Sequence, residues 1–422
     1  MHRPPRVARR HVYKLLYLSV CARNSYSTAH FYQNRQLELY ASKQATLLSL
    51  RQLVFYGRAM SEERLIKSAN YVRTELPIRI AHRLRDLQGL PYIVVMQEGV
   101  NRVYDLYWTA FEKFRRYPEV RTIEENDEFC QFVRGMLNEH SAVIPSLSLG
   151  LSLASPYLPP DQLDSFMRRM LVSRMSRRVL AEHHIALSDA FNGRDHNVDG
   201  EGHVGIIYTG LNVEKSVKKC ASILRPPSNV QMPEVIIEGH LGTTFAYIRE
   251  HLEYIVFELL KNSIQATVDA HAGKLSYPPI LVTIMAGVND IGMRISDQGG
   301  GLTNPHIRTP SDLFSFSHVR NATRMEDARL GSLRSVSERP AGMVATVNEL
   351  VQRWQEEQRT RDNPEVEAGV GSHPRLGIGL PMCNIFSRYF GGSLELVSMD
   401  GWGTDAYLRL PKLGTNLEGI EF

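Results

Sequence analysis

Residues 251–271 read HLEYIVFELLKNSIQATVDAH, and this stretch decides the fold of the second half of the chain. Ile248, Leu252, Ile255, Val256 and Leu259 recur at three- and four-residue spacing, which predicts one long amphipathic helix from Tyr247 to His271. Glu258 and Asn262 are four apart, so they project from one face, one turn from each other. His251 and Tyr254 continue that line backward. Taken alone, this polar line beside an apolar stripe reads as the solvated side of a helix.

Two strand-like runs follow, Ile280 to Ala286 and Ile291 to Ser296, and the second ends in Asp297-Gln-Gly-Gly-Gly301. A carboxylate at a strand end offers an acceptor for a base amine, and glycines let the backbone approach a ligand closely. A flexible turn has the same composition. Further on, Gly377-Ile-Gly379-Leu380-Pro381 opens a helix expected from Met382 to Phe390. Glycines at a helix start expose free amides and the positive dipole end, a seat for phosphate. Gly403-Thr404-Asp405 begins the last strand, where a threonine hydroxyl can serve a base. The runs Ser393 to Met399 and Thr404 to Leu410 alternate around the Asp400–Gly401 turn as a hairpin. This half is therefore an α/β layer structure. Between Leu302 and His373 strand character is sparse, and a connection that long reads as a lid or a disordered insertion.

The first half has a different grain. Leu37 to Met60, Tyr104 to Phe114, Phe129 to Leu137 and Gln162 to His184 carry helical spacing, punctuated by Pro77, Pro91, Pro118, Pro145 and Pro159–Pro160. Long helices with short breaks suggest a bundle. The Gly- and Asp-rich loop from Asn192 to His203 reads as a turn. Arg3, Arg6, Arg9, Arg10, Lys14 and Arg23 all precede the first acidic residue, Glu38, with Ser19, Ser25, Ser27 and Thr28 among them. That is the composition of a mitochondrial presequence over residues 1–30; a disordered basic tail is the alternative. Without those six cations the formal charge falls from +4 to about −2, which argues against a nucleic-acid partner. No stretch approaches the roughly 20 apolar residues of a spanning helix. Cys21, Cys130, Cys220 and Cys383 are scattered and form no CxxC pair, so no zinc site or disulfide framework follows.

In order, an Asn box, D-x-G-x-G, G-x-G-L and G-T-D resemble the GHKL superfamily of gyrase, Hsp90, MutL and histidine kinases. Within it, HLEYIVFELLKNSIQATVDAH, RISDQGGG (294–301) and GIGLPMCNIFSRYFGGSLELVSMDGWGTDAYLRLPK (377–412) resemble the mitochondrial 2-oxoacid dehydrogenase kinases, which act on pyruvate or branched-chain complexes. FMRRMLVSRMSRRVLAEHH (166–184) and NEHSAVIPSL (138–147) extend the likeness into the helical half, so it covers most of residues 40–415 outside the insertion. The resemblance implies a two-domain α+β chain. An N-terminal four-helix-type bundle at 31–225 precedes a GHKL α/β sandwich, the Bergerat ATP-binding fold, at 226–422, with 303–372 as the ATP lid. It implies Asn262 as the Mg²⁺ holder, Glu258 as general base toward a substrate serine, and Asp297 as reader of the adenine amino group. Gly299 and Gly301 would line the pocket, Gly377, Gly379 and Leu380 would surround the phosphates, and Thr404 would close the base side.

The implied function is an ATP- and Mg²⁺-dependent protein-serine kinase of the mitochondrial matrix. It would inactivate the decarboxylase α subunit of a 2-oxoacid dehydrogenase complex, pyruvate dehydrogenase favoured and the branched-chain complex the alternative. A lipoyl domain of the acyltransferase core would be its docking partner, and its state a homodimer. The chain departs from the family at Arg375, where the phosphate loop often has glycine, and at Gln298, often arginine. Tyr254 and a tail ending Glu418-Gly-Ile-Glu-Phe422, without the Asp-Trp pair of pyruvate dehydrogenase kinases, pull toward the branched-chain complex.

His140, five residues before Pro145, lies as in the phospho-acceptor segment of histidine kinases, but Ser141 stands where an acidic neighbour is usual. It reads as active-site support, as a structural histidine or as a phosphohistidine. Arg174 and Arg178 share a helix face; the resemblance suggests a pocket for an inhibitory organic acid, and a surface salt-bridge face is the alternative. His196 and His203 lack metal-ligand spacing and read as turn residues. Gly193-Arg194-Asp195 has no accompanying D-F-G, and no GxxxxGK[ST] is present, so the kinase reading rests on the GHKL elements. Three rivals stay open: a histidine kinase, a non-kinase GHKL ATPase in which Glu258 activates water, and a nucleotide-binding scaffold that has lost catalysis.

Overall fold

The structure, a computed structural model, describes residues 34–140, 157–194, 202–225, 231–302, 310–316, 379–413 and 416–420, with Val143, Ser146, Leu147 and Leu151. The leader, Arg375, Gly377, His196 and most of the expected lid lie outside those residues.

Helices begin where a side chain can satisfy their free amides. Asn34 caps α1 (Arg35–Ala41), a Ser49–Gln52 capping box opens α2 (Leu50–Gly57), and Ser61 caps α3 (Glu62–Gln88). After the single turn α4 (Tyr92–Val95) come α5 (Glu98–Arg116), α6 (Ile123–Glu139, capped by Thr122) and α7 (Pro160–Phe191). Pro160 stands at the start of α7, where its missing N–H costs nothing. α3 packs on α5, α6 and α7, and α6 on α7, so the four long helices form the expected bundle. The pattern expected over Leu37 to Met60 divides into α1 and α2. Pro77 does not end a helix but lies buried inside α3, whose apolar stripe from Leu65 to Leu87 carries the helix through the missing bond.

The second half holds two sheets. β1 (His203–Val204), β2 (Ile207–Asn212) and β4 (Thr244–Ile248) pair antiparallel in the order β1-β2-β4. α8 (Val213–Ile223) packs on α9 (Arg249–Ala270). These contacts cross residue 225, where the sequence places its boundary. The larger sheet runs β3-β5-β6-β8-β7: Val235–Gly239, Ile280–Ala286, Asp290–Ser296, Gly403–Pro411 and Ser393–Met399. β3 and β5 are parallel and the other pairs antiparallel. Alternation puts Ile280, Val282, Ile284, Ile291, Met293, Ile295, Leu408 and Leu410 on the covered face, against which α9 and α11 (Gly379–Arg388) lie. This helical half followed by an α/β sandwich is the architecture the sequence predicts. α9 starts two residues late because Tyr247 and Ile248 finish β4. α11 starts three residues early, at Gly379, since Pro381 in a first turn needs no hydrogen-bond partner.

A buried polar knot fastens the halves. Arg79 of α3 donates to both Glu418 oxygens (2.9 and 3.0 Å), to the Thr46 carbonyl (2.5 Å) and to Glu75 (3.1 Å), and it also bonds Ser176 of α7. Glu418 accepts further from the Leu48 amide (2.9 Å) and the Tyr389 hydroxyl (2.5 Å). Leu417 bridges Ser49 antiparallel beside it. The short helix α10 (Pro310–Leu313) is followed by Ser315 and Phe316, which both donate to Asp164 of α7 at 2.6 Å.

Candidate active site

α9 supplies the first wall. Glu258 is only 3% exposed, and Lys261, one turn on, donates to its Oε1 at 2.7 Å. Tyr254 is buried one turn earlier, its ring 4.8 Å from that of Phe386 on α11, and His251 lies 4.7 Å from the same ring. Asn262 is exposed. The line that reads as a solvated face is thus buried at His251, Tyr254 and Glu258 and opens only at Asn262, because α11 covers its first turns. Burial raises the Tyr254 hydroxyl well above its ordinary pKa, with the Glu258 charge adding to the effect.

The N-terminus of α11 meets this wall at Gly379. A Cβ there would overlap the Glu258 carboxylate, so only glycine lets the helix start reach it. Leu380 is half-buried beside it.

Asp297 forms the second wall. Its Oδ1 accepts from the Gly299 amide (2.9 Å) and the Thr404 amide (3.1 Å), while its own amide donates to the Thr404 carbonyl (3.0 Å). Burial raises its pKa, and hydrogen bonds from Gly299, Ser263 and Thr404 oppose the rise. A Cβ at Gly299 would come within 2.5 Å of the Ala266 Cβ, so the loop after β6 rests directly on α9. Gly301 has φ +81°, and Thr404 is half-buried at the start of β8. Glu258, Asn262, Asp297, Gly299, Gly301, Gly379, Leu380 and Thr404 therefore gather where α9, α11 and the ends of β6 and β8 meet. With Oδ1 committed to backbone amides, Asp297→Asn keeps its scaffold but can turn an amide donor toward a base amine. We expect ATP affinity to fall about 10–100-fold with the fold retained, read by titration calorimetry and circular dichroism.

Among the described residues no group of three or more His, Cys, Asp or Glu could hold a metal. A divalent cation here would depend on the Asn262 oxygen and on ligand phosphates, the usual habit of Mg²⁺. Asn262, exposed at the open end of the line, fits that role.

His140 belongs to the helical half. It ends α6, its Nε2 is 3.3 Å from the Leu106 carbonyl, and its ring meets Tyr107 edge-on at 5.3 Å. Burial, then the Arg177 and Arg174 charges, push its pKa down to about 3, so it is neutral. Arg174 donates to the His140 carbonyl (2.6 Å), and Arg178 pairs with Glu182 (2.5 Å). Together with Arg177, which donates to the Tyr107 hydroxyl (2.7 Å), they line a small cavity of about 40 Å³ walled by Ile80, Phe114 and Met136. The arginines are buried, and among the described residues Arg174 Nε, Arg177 Nη1 and Arg178 Nε have no hydrogen-bond partner. The face is therefore not at the surface: burial pushes Arg174 down to about 10, and Glu182, paired with Arg178, opposes that shift. Sequence reasoning passed over Lys261, Ser263 and Arg177, although all three lie within one turn of residues it singled out.

A carboxylate-and-amide helix, an aspartate–glycine loop and a glycine-led helix on one mixed sheet define the GHKL class of ATP-binding proteins. Residues 248–414 match the family of histidine kinase-, DNA gyrase B- and HSP90-like ATPases, and residues 47–208 match that of the mitochondrial branched-chain alpha-ketoacid dehydrogenase kinase. A mitochondrial [pyruvate dehydrogenase (acetyl-transferring)] kinase of Arabidopsis thaliana is 30% identical over 386 residues, covering 89% of this chain and 93% of the relative. Kinase 2 of that name from Saccharomyces cerevisiae is 29% identical (91% and 86% covered), and isozyme 4 of Mus musculus 27% (92% and 85%). The chain belongs to the mitochondrial 2-oxoacid dehydrogenase kinase family. It is a protein kinase with a GHKL ATP-binding domain.

Proposed function

We propose that this kinase transfers the γ-phosphoryl group of ATP to serines on the decarboxylase α subunit of a mitochondrial 2-oxoacid dehydrogenase complex and so inactivates it, pyruvate dehydrogenase being favoured. The observation that carries the reading is buried Glu258, paired with half-buried Lys261, beside the glycine-led start of α11 and one turn from exposed Asn262. Three relatives named for pyruvate dehydrogenase support the favoured substrate, while the match over the helical half carries the branched-chain name.

In this reading Glu258, oriented by the Lys261 ammonium, takes the proton of the substrate hydroxyl as the oxygen attacks. The free amides of the first turn of α11 and the backbone about Gly379 and Leu380 hold the phosphate oxygens. Asp297 accepts from the base amine, and Gly299, Gly301 and Thr404 shape the base pocket. Asn262 would hold Mg²⁺, which neutralises charge on the phosphates. Gly377, in the same motif, belongs to the phosphate loop by sequence. His140 is the active-site support, and Arg174 and Arg178 line a pocket beside it whose guanidinium nitrogens, unpaired among the described residues, suit a small organic carboxylate.

The domain reading stays as the sequence gives it: a leader at 1–30, the bundle at 31–225, the ATP-binding domain at 226–422 and a lid at 303–372. The relatives are named mitochondrial, which with the leader supports the matrix. Among the described residues no helix is long and apolar enough to cross a membrane. The sheet face left uncovered by the described residues, with Ile236, Met285, Val397, Met399 and Tyr407 exposed, supports a homodimer. A lipoyl domain of the acyltransferase core is the docking partner by family resemblance.

The test mixes the chain lacking residues 1–30 with labelled ATP·Mg²⁺ and purified pyruvate or branched-chain complex. Acid-stable label on one α subunit is expected and names the substrate. Acid-labile label on the chain itself, or phosphate released with no phosphoprotein, overturns the reading.

A further inference from the structure

α11 is held at both ends. Its N-terminal residue, Gly379, lies against the Glu258 carboxylate, and just beyond its last turn the Tyr389 hydroxyl donates to Glu418 at 2.5 Å. Between them the helix spans about 15 Å. Glu418 is anchored in turn to Arg79 of α3 and to the Leu48 amide, and Arg79 also bonds Ser176, which lies between Arg174 and Arg178 on α7. All of these side chains are buried: Arg79, Ser176, Tyr389 and Glu418 are each less than 5% exposed. The backbone repeats the fastening, for the Glu418 amide donates to Leu48 O and the Gly419 amide to Tyr389 O, at 2.9 and 2.8 Å. One tail carboxylate therefore ties three elements of the helical half to the far end of the helix that begins at the reacting site.

A tie needed only for cohesion would hold any surfaces together. This one ends on a rigid rod whose other end sits within reach of the base. We propose that Glu418 is a positioning residue: by gripping Tyr389 and Arg79 together it sets α11, and so the glycine end beside Glu258, relative to the helical half. The inference rests on the reading of Glu258 as base and α11 as phosphate seat. The isosteric Glu418→Gln takes away the charge that two guanidinium nitrogens share, which loosens the grip without opening a cavity. Tyr389→Phe removes only the hydroxyl and leaves the ion pair in place.

The experiment uses the chain from residue 31 to 422. It measures the fluorescence-monitored affinity for an ATP analogue, which needs no protein substrate, and kcat and KM(ATP) on the complex that accepts label. Each variant is assayed well below its own melting temperature. Glu418→Gln is expected to lower kcat about tenfold or more and to weaken the analogue several-fold, because small misplacements of reacting groups carry penalties of that size. Tyr389→Phe shifts both readouts in the same direction by a smaller factor, and Glu418→Asp, which keeps the charge, recovers part of the loss. Parent-like kcat and analogue affinity in Tyr389→Phe and Glu418→Gln, with only the melting temperatures lowered, would show a structural tie and overturn the inference. Should Glu418→Gln not fold, Tyr389→Phe decides alone. Weak analogue binding by the parent chain would instead sink the nucleotide reading itself.

Discussion

Replacing Glu258 by glutamine is expected to lower phosphoryl transfer about 10²–10⁴-fold, the usual contribution of a positioned base, while ATP affinity changes little. Glutamine keeps the volume and an oxygen within reach of Lys261, so the helix face and its contact with Gly379 persist, but it cannot take a proton. Paired measurements of transfer rate and analogue affinity check this. A fall in both together would place Glu258 in binding rather than proton transfer. The exchange also tests the histidine-kinase rival, since a phosphohistidine relay at His140 has no need of this carboxylate.

The second large effect is on stability. Arg79→Met should cost about 3–5 kcal/mol, because removing one partner of a buried ion pair strands the other. Glu418 would keep only its bonds from Leu48 and Tyr389, and Glu75 would lose its guanidinium. The check is the denaturant midpoint, which should drop with little change in slope. A shift under about 1 kcal/mol, the range of exposed pairs, would mean that water reaches the knot.

How much of this was legible beforehand varies with the range of the interaction. The strands at 280–286 and 393–399 and the stripe of α9 were readable because hydrophobic periodicity is local. So were the motifs of the proposed nucleotide site, which keep their order along the chain. Pro77 misled because its local penalty is outweighed by a buried stripe running along the whole helix. Arg174, Arg177 and Arg178 look like a solvated face to any rule that counts charge; only the packing of α3 and α6 around α7 puts them inside. Burial of Tyr254 and Glu258 depends on α11, more than a hundred residues away, which no pattern within α9 can announce.

The pairing of Arg79 with Glu418 spans 339 residues and closes within four residues of the C-terminus. At roughly 5–20 residues per second, synthesis alone separates the two by about 20–70 s. During that interval the Arg79 guanidinium of α3 has Glu75, the Thr46 carbonyl and Ser176 within its own half, but not the carboxylate that takes two of its nitrogens. Completion of the polar knot is thereby deferred until Glu418 has been made. The helical half can therefore pack on its own apolar core first, and its lock onto the ATP-binding half is a separate, later event.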